Sequence, residues 1–299
     1  MDPVSHLISA RDGLPIHVLE WPRCQDSGGE ELGREEFGRE AFGGEPLPPI
    51  LCLPGLVRTS ADFETLAPLV GAGRRVIAID YAGRGQSGRA RDIARYAPEA
   101  CVRDVMDACA ALHIHDAIVI GTSFGGLLAM GLAVARPGLV RAAILNDIGP
   151  DVGTNGADFV RRFVGNDPAF DSLDTCADYL RTTLPPLSLS TDAAWRRMAE
   201  LTYAPGADGR FHPVWDTRIA ALLTDKSPDL WPLFGALSDR PVLLVRGAVS
   251  DILLPATVVR MQTEHPAMRV VTLPGIGHAP ILTEPPALAA IKTFLQETA

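Results

Sequence analysis

Short apolar, β-branched runs recur along the chain, each followed by a turn and then by a segment with helical spacing. Val4 to Ala10 and Leu14 to Trp21 read as two strands around Arg11-Asp12-Gly13, a hairpin signal. From Ile50 onward strands and helices alternate. Ile50-Leu51-Cys52-Leu53, Arg75 to Asp80, Ala117 to Ile120 and Val140 to Leu145 predict strands. Between them, Ala61 to Val70, Glu99 to Leu112 and the stretch from Leu127 to Ala135 predict helices. Repeated β-α units imply a mostly parallel sheet with helices on both faces, the α/β class.

After Gly149-Pro150 the rhythm breaks. Asp151 to Ser238 shows only helical periodicities interrupted by prolines, before Pro241 to Val245 and Met268 to Leu273 restore strands and Pro286 to Gln296 predicts a last helix. The expected organisation is therefore a core of residues 1–150 and 239–299 with an inserted helical lid at 151–238. A further insertion is expected at 24–49. Its Gly/Glu-rich, imperfectly repeated stretch from Gly33 to Glu45 is too polar to bury a face of its own.

Composition narrows the partners. The 299 residues carry a net charge of −9 with no basic cluster, which argues against nucleic acid, while the long helical lid points to an enclosed small-molecule substrate as the expected partner. Five cysteines without C-x-x-C spacing are expected as buried thiols rather than redox or metal sites. The first residues show no basic n-region and no apolar h-region, and no run of about eighteen apolar residues is present to span a membrane. A cytoplasmic location is the expectation. Arginine, alanine and glycine usage with almost no lysine suggests a GC-rich bacterial source.

The chemistry gathers at Gly121-Thr122-Ser123-Phe124-Gly125. An apolar strand runs into G-x-S-x-G and directly into an apolar helix, the context of a nucleophile elbow. The serine at such an apex has a strained backbone, so the flanking glycines are needed for clearance. Its hydroxyl stands at a helix N-terminus that favours developing negative charge. Functional groups in parallel sheets collect beyond the strands' carboxyl ends. Two further groups lie there: Asp251 after the strand ending at Val245, and His278 after the strand ending at Leu273. Asp147, past Val140 to Leu145, is the alternative acid. Two tempting motifs read otherwise. His113 and His115 precede the elbow strand, at the wrong end of the sheet for chemistry. The Gly83-x-Gly85-x-x-Gly88 loop opens no helix, as a dinucleotide fingerprint must.

Taken together, Leu53-Pro54-Gly55-Leu56, Asp80-Tyr81-Ala82-Gly83-Arg84-Gly85-Gln86-Ser87, the elbow, Arg246-Gly247…Asp251 and Gly275-Ile276-Gly277-His278 resemble the α/β-hydrolase superfamily. The resemblance implies the α/β-hydrolase fold and the triad order Ser…Asp…His. It assigns Ser123 as nucleophile, His278 as general base and acid, and Asp251 as the group orienting the imidazole. The backbone N–H groups of Phe124 and Leu56 become the oxyanion donors. Many members carry His-Gly where this chain has Pro54-Gly55, so the loop is a departure. The resemblance is to capped bacterial esterases, enol-lactonases, C–C hydrolases and cofactor-free haloperoxidases. It implies a serine hydrolase that cleaves an ester or lactone of a small molecule, with no cofactor and no metal. C–C hydrolysis or haloperoxidase-like chemistry on the same triad is the alternative. A non-catalytic binding protein on this fold and a nicotinamide-dependent oxidoreductase are the alternatives of another class.

Overall fold

The first two strands, β1 (Val4–Ser9) and β2 (Pro15–Trp21), pair antiparallel around a turn in which Gly13 takes φ +84°. The computed structural model describes residues 2–23, 47–223 and 228–299, apart from the side chain of Asn155. Four parallel strands follow: β3 (Ile50–Leu53), β4 (Val76–Ile79), β5 (Ala117–Thr122) and β6 (Val140–Asn146). Among the described residues they belong to an eight-stranded sheet of order β1-β2-β4-β3-β5-β6-β9-β10. Here β9 is Val242–Gly247 and β10 is Arg269–Leu273, both parallel to their neighbours, while β2 is antiparallel to β4.

Both faces of the central strands are covered, which is why they read as unbroken apolar runs. Side chains alternate across the sheet. Leu51, Leu53, Ile77, Ile79 and Val119 pack with helices α2 (Pro98–Ala111) and α3 (Phe124–Ala135). Ile50, Cys52, Val76, Ile118 and Ile120 share the other face with α1 (Ala67–Val70) and the final helix, Pro285–Glu297. Each such fully buried aliphatic side chain contributes about 1.5–3 kcal/mol. Cys52, Cys101, Cys109 and Cys176 are buried free thiols, and burial pushes Cys101 up to about 11 and Cys109 up to about 12.

One expected helix is split. Residues 61–70 hold a single 3₁₀ turn, Ser60–Phe63, and then α1. Pro68 lacks an N–H and is tolerated only in a helix's first turn, so no continuous helix can run through it.

Strand order locates the site. The chain passes from β3 to β4 on one side, then returns to place β5 on the other side of β3. The connections diverge there, leaving a crevice beyond the carboxyl ends of β3 and β5.

Between β6 and β9 lie α4 (Thr154–Val164), α5 (Leu173–Thr183), α6 (Asp192–Glu200) and α7 (Trp231–Gly235), so this stretch is largely helical. It is not wholly so. A hairpin of β7 (Tyr203–Pro205) and β8 (Phe211–Pro213) interrupts the helices. Three-residue strands are too short to show alternation. The readable cue was Asp208-Gly209, where Gly209 takes φ +78° in the turn. After β9 comes α8 (Pro255–Glu264), and the Pro285–Glu297 helix is α9.

The insertion expected at 24–49 lies outside the described residues except for Leu47, Pro48 and Pro49. Trp21 and Ile50 both pair with Val76, so the chain leaves and re-enters at the amino edge of the parallel strands. No helix among the described residues is long and apolar enough to cross a membrane.

Candidate active site

Ser123 sits between β5 and α3 with φ +52° and ψ −117°, a conformation costly for any residue with a Cβ. Its neighbours explain how the turn survives. A Cβ on Gly121 would stand 2.5 Å from the Gly125 carbonyl oxygen, and one on Gly125 would stand 2.0 Å from that of Leu53. Backbone meets backbone at both places, so no side-chain movement could relieve the clash. The Ser123 N–H donates to the Asn146 carbonyl at 2.9 Å, tying the apex to β6.

His278 lies in the loop after β10. Its Nε2 is 2.8 Å from Ser123 Oγ and its Nδ1 is 2.8 Å from Asp147 Oδ2. A carboxylate can only accept, so the ring proton sits on Nδ1 and Nε2 accepts from the serine hydroxyl. Asp147 is fully buried, at φ +55°, and its other oxygen accepts the Gly247 N–H at 2.8 Å.

This corrects the expected acid. Asp251 is exposed in the loop after β9 and does not meet the imidazole, whereas Asp147 does. The reason is strand order. β6 lies beside β5, but β9 is one strand further out. The loop after β10 folds back across the end of β9, and the carbonyls of Ile276 and Gly277 would lie 2.5 Å from a Cβ on Gly247. That close passage delivers His278 over Asp147 and bypasses Asp251. Both carboxylates satisfy the chain order Ser…Asp…His, so order alone could not separate them.

The loop after β3 packs against the elbow. Its three carbonyls are individually held: Pro54 accepts from Tyr81 Oη at 3.1 Å, Gly55 from the Arg58 N–H at 3.1 Å, and Leu56 from Arg84 Nε at 2.9 Å. Burial pushes the Tyr81 phenol well above its usual range, so it serves as a neutral donor. Holding the Gly55 carbonyl on one side turns the Leu56 N–H, the opposite end of the same peptide, the other way. Among the described residues that N–H meets no backbone carbonyl. Phe124 opens α3, so its N–H is among the first-turn donors without an intrahelical partner. Leu56 lines the same cavity as Ser123, and Phe124 follows it directly in the chain; N–H groups so placed can serve an oxyanion.

A cavity of about 400 Å³ opens on Ser123 and His278. Phe159, Phe163, Leu180, Leu184, Leu187 and Met198, from the segment between β6 and β9, supply an apolar wall. Arg58 and Asp62 also line it, but they neutralise each other: Nε of Arg58 bonds Asp62 at 2.8 Å and Nη1 bonds Thr202 at 2.6 Å.

A second Ser–His–Asp chain exists. Ser5 Oγ is 3.0 Å from His17 Nε2, and His17 Nδ1 is 2.8 Å from Asp80 Oδ2. Ser5 lies in regular antiparallel pairing on β1, opposite Leu19, with neither an elbow nor a helix N-terminus. Asp80 also accepts the N–H groups of Ser60 and Gln86, so this set braces loops. The Gly83–Gly88 loop likewise closes on itself, Gly83 N–H to Gly88 carbonyl at 2.8 Å, and runs into a 3₁₀ turn at Ile93–Tyr96.

A sheet with this order, carrying a serine elbow at its switch point, defines a class, and the chain belongs to the α/β hydrolase family, whose model matches residues 50–291. It is a hydrolase of that type. Among curated relatives, it is 32% identical over 264 residues to the 3-hydroxybutyrate-oligomer hydrolase of Cupriavidus necator, covering 84% of this chain and 90% of that protein. It is 28% identical to the 2-(acetamidomethylene)succinate hydrolase of Mesorhizobium japonicum, over 77% of this chain and 81% of the relative. Among solved structures, an α/β hydrolase from Novosphingobium aromaticivorans matches at TM-score 0.87 and 35% identity, with 100% of both chains covered.

Proposed function

We propose that this chain is a serine hydrolase that cleaves the ester bond of small hydroxyacyl esters through an acyl-enzyme. The observation that carries this reading is the continuous hydrogen-bonded chain Asp147–His278–Ser123, whose serine faces the apolar cavity. Ser123 Oγ attacks the ester carbonyl carbon while His278 Nε2 takes the hydroxyl proton. The carbonyl oxygen becomes an oxyanion, held by the N–H groups of Phe124 and Leu56. Collapse expels the alcohol, which receives its proton from His278. Water then attacks the acyl-serine by the same proton route and frees the acid. Asp147 holds the imidazole in the productive tautomer and offsets its transient positive charge.

The substrate class rests on two supports. The cavity wall is mostly apolar and its charged side chains are paired, Arg58 with Asp62 and Arg197 with Glu64, which suits an uncharged acyl chain better than a dianion. The relative from Cupriavidus necator acts on 3-hydroxybutyrate oligomers, esters of that kind. In this reading residues 151–238 form a lid that keeps bulk water from the ester.

The test is a panel of 3-hydroxyacid dimers and trimers, lactones, simple aryl esters and vinylogous 1,5-diketones, run with the native protein and Ser123→Ala. Turnover of the hydroxyacid esters that vanishes in Ser123→Ala is expected. Activity confined to the diketones would replace ester cleavage with C–C hydrolysis. Undiminished turnover by Ser123→Ala would remove the mechanism.

A further inference from the structure

Arg84 is a fully buried cation that, among the described residues, forms no ion pair with a carboxylate. Instead its Nε donates to the Leu56 carbonyl at 2.9 Å and its Nη1 to the Ala82 carbonyl at 2.7 Å. The guanidinium carbon lies 5.7, 5.8 and 5.9 Å from the ring centroids of Tyr81, Tyr96 and Phe124. Burying a charge without a counter-ion is costly, and an apolar side chain of similar volume would fill the space at less cost. The contacts show what that cost sustains.

Two of them converge on one place. Leu56 is gripped through its carbonyl and Phe124 through its ring face, and these are the two residues whose N–H groups the acyl-transfer reading uses. Tyr81 completes the frame, bonded to the Pro54 carbonyl at 3.1 Å and edge-on to Phe124 at 5.6 Å between centroids. The arginine itself is held from outside. Arg84 bridges to Trp215 as an isolated β-pair, and the Gly85 N–H donates to the Val214 carbonyl at 2.7 Å.

We propose that Arg84 is a positioning residue for the oxyanion site: it sets the loop carrying Leu56 and the helix end carrying Phe124 at a fixed separation, so that both N–H groups aim at one oxygen. The proposal rests on the acyl-transfer reading of Ser123. The planar guanidinium fork suits this task because it donates in two directions while its charge lies within cation–π range of the rings. A lysine gathers its donors on one nitrogen and lacks the planar fork, so it would hold the Leu56 and Ala82 carbonyls in a different geometry.

The experiment compares native protein, Arg84→Met, Arg84→Lys and Ser123→Ala on p-nitrophenyl butyrate, with thermal melting of each and affinity for a phenylboronic acid as tetrahedral mimic. Misplacing one donor by an ångström costs about 100-fold in rate. Both Arg84 variants are expected to lose about 10- to 100-fold in kcat, within that limit. Boronate affinity should fall by a similar factor while KM and melting temperature stay near native. Native kcat in Arg84→Met overturns the proposal, as does a kcat loss without loss of boronate affinity. If Arg84→Met fails to fold, Arg84→Lys decides by the same two readouts, and failure of both to fold makes the arginine structural. Ser123→Ala separates the two levels. Its continued turnover defeats the acyl-transfer reading itself, whereas a dead Ser123→Ala beside a fully active Arg84→Met defeats only the role of Arg84.

Discussion

The backbone N–H of Gly247 donates to Asp147 Oδ1 at 2.8 Å, leaving Oδ2 to accept from His278. Each oxygen of this fully buried carboxylate therefore has its own donor, and the carboxyl plane is set by a strand that carries no acid at the site. Asp147→Asn retains the shape but offers an N–H where the imidazole needs an acceptor. Turnover should fall by about 10⁴-fold. Asp251→Asn should remain within about twofold of native, as surface changes away from such features usually do. Steady-state kinetics of the two variants on one ester checks the assignment, and a crippled Asp251→Asn would reverse it.

Ser5 and Ser123 are each hydrogen-bonded to a histidine backed by aspartate, yet only Ser123 stands at an elbow over a cavity. A fluorophosphonate probe should modify Ser123 and leave Ser5 unmodified, as read by peptide mass spectrometry. Labelling of Ser5 at a comparable rate would mean that the hydrogen-bonded chain suffices without an oxyanion site.

Gly125→Ala should close the elbow. The new methyl would stand 2.0 Å from the Leu53 carbonyl oxygen, with no side chain able to give way. Loss of probe labelling by about 100-fold or more is expected from the displaced helix end. A variant that labels at the native rate would show that the β3 loop can retreat.

His212 links the β7–β8 hairpin to the approach to α5, with Nδ1 2.9 Å from Asp167 and Nε2 3.1 Å from Asp208. The Asp167 hydrogen bond, with Asp208 behind it, raises the imidazole above its ordinary value. A raised folded-state value means the unfolded chain releases its proton first. The pair's contribution is thus complete below about pH 6.5 and disappears as pH rises through the higher folded value. The melting-temperature difference between native and His212→Gln should be largest near pH 6, shrink toward pH 9, and weaken with salt because the site is exposed. A difference that grows with pH would contradict the assignment.

Replacing Asp26 to Glu45 with a short Gly/Ser link should leave kcat and KM near native. The described residues on either side, Trp21 and Ile50, both pair with Val76 at the amino edge of the sheet, while Ser123 follows the carboxyl end of β5. Changing the length of a chain connection alters its closure cost by only about 0.6 kcal/mol per doubling. A large loss of activity with melting unchanged would show that the segment acts at the site.

Much of this protein was settled by local sequence. The apolar runs at Ile50–Leu53, Val76–Ile79 and 117–120 had to be covered strands, because nothing in them tolerates water on either side. Gly121, Ser123 and Gly125 encode their own turn, since the clearances that require glycine arise within the elbow and the strand beside it. His278 was legible from its place just past a strand. What sequence left open was decided by neighbours distant along the chain. Asp147 and Asp251 occupy equivalent positions in the pattern, and only the order β5-β6-β9-β10 puts the first beneath the imidazole and the second in solvent. Arg84 carried no signal of its own within a glycine-rich loop. Its meaning comes from Leu56, Ala82 and three rings that meet it once the sheet closes. Covalent spacing fixes what a segment can do by itself, whereas a hydrogen bond between residues a hundred positions apart is set by which strands lie side by side.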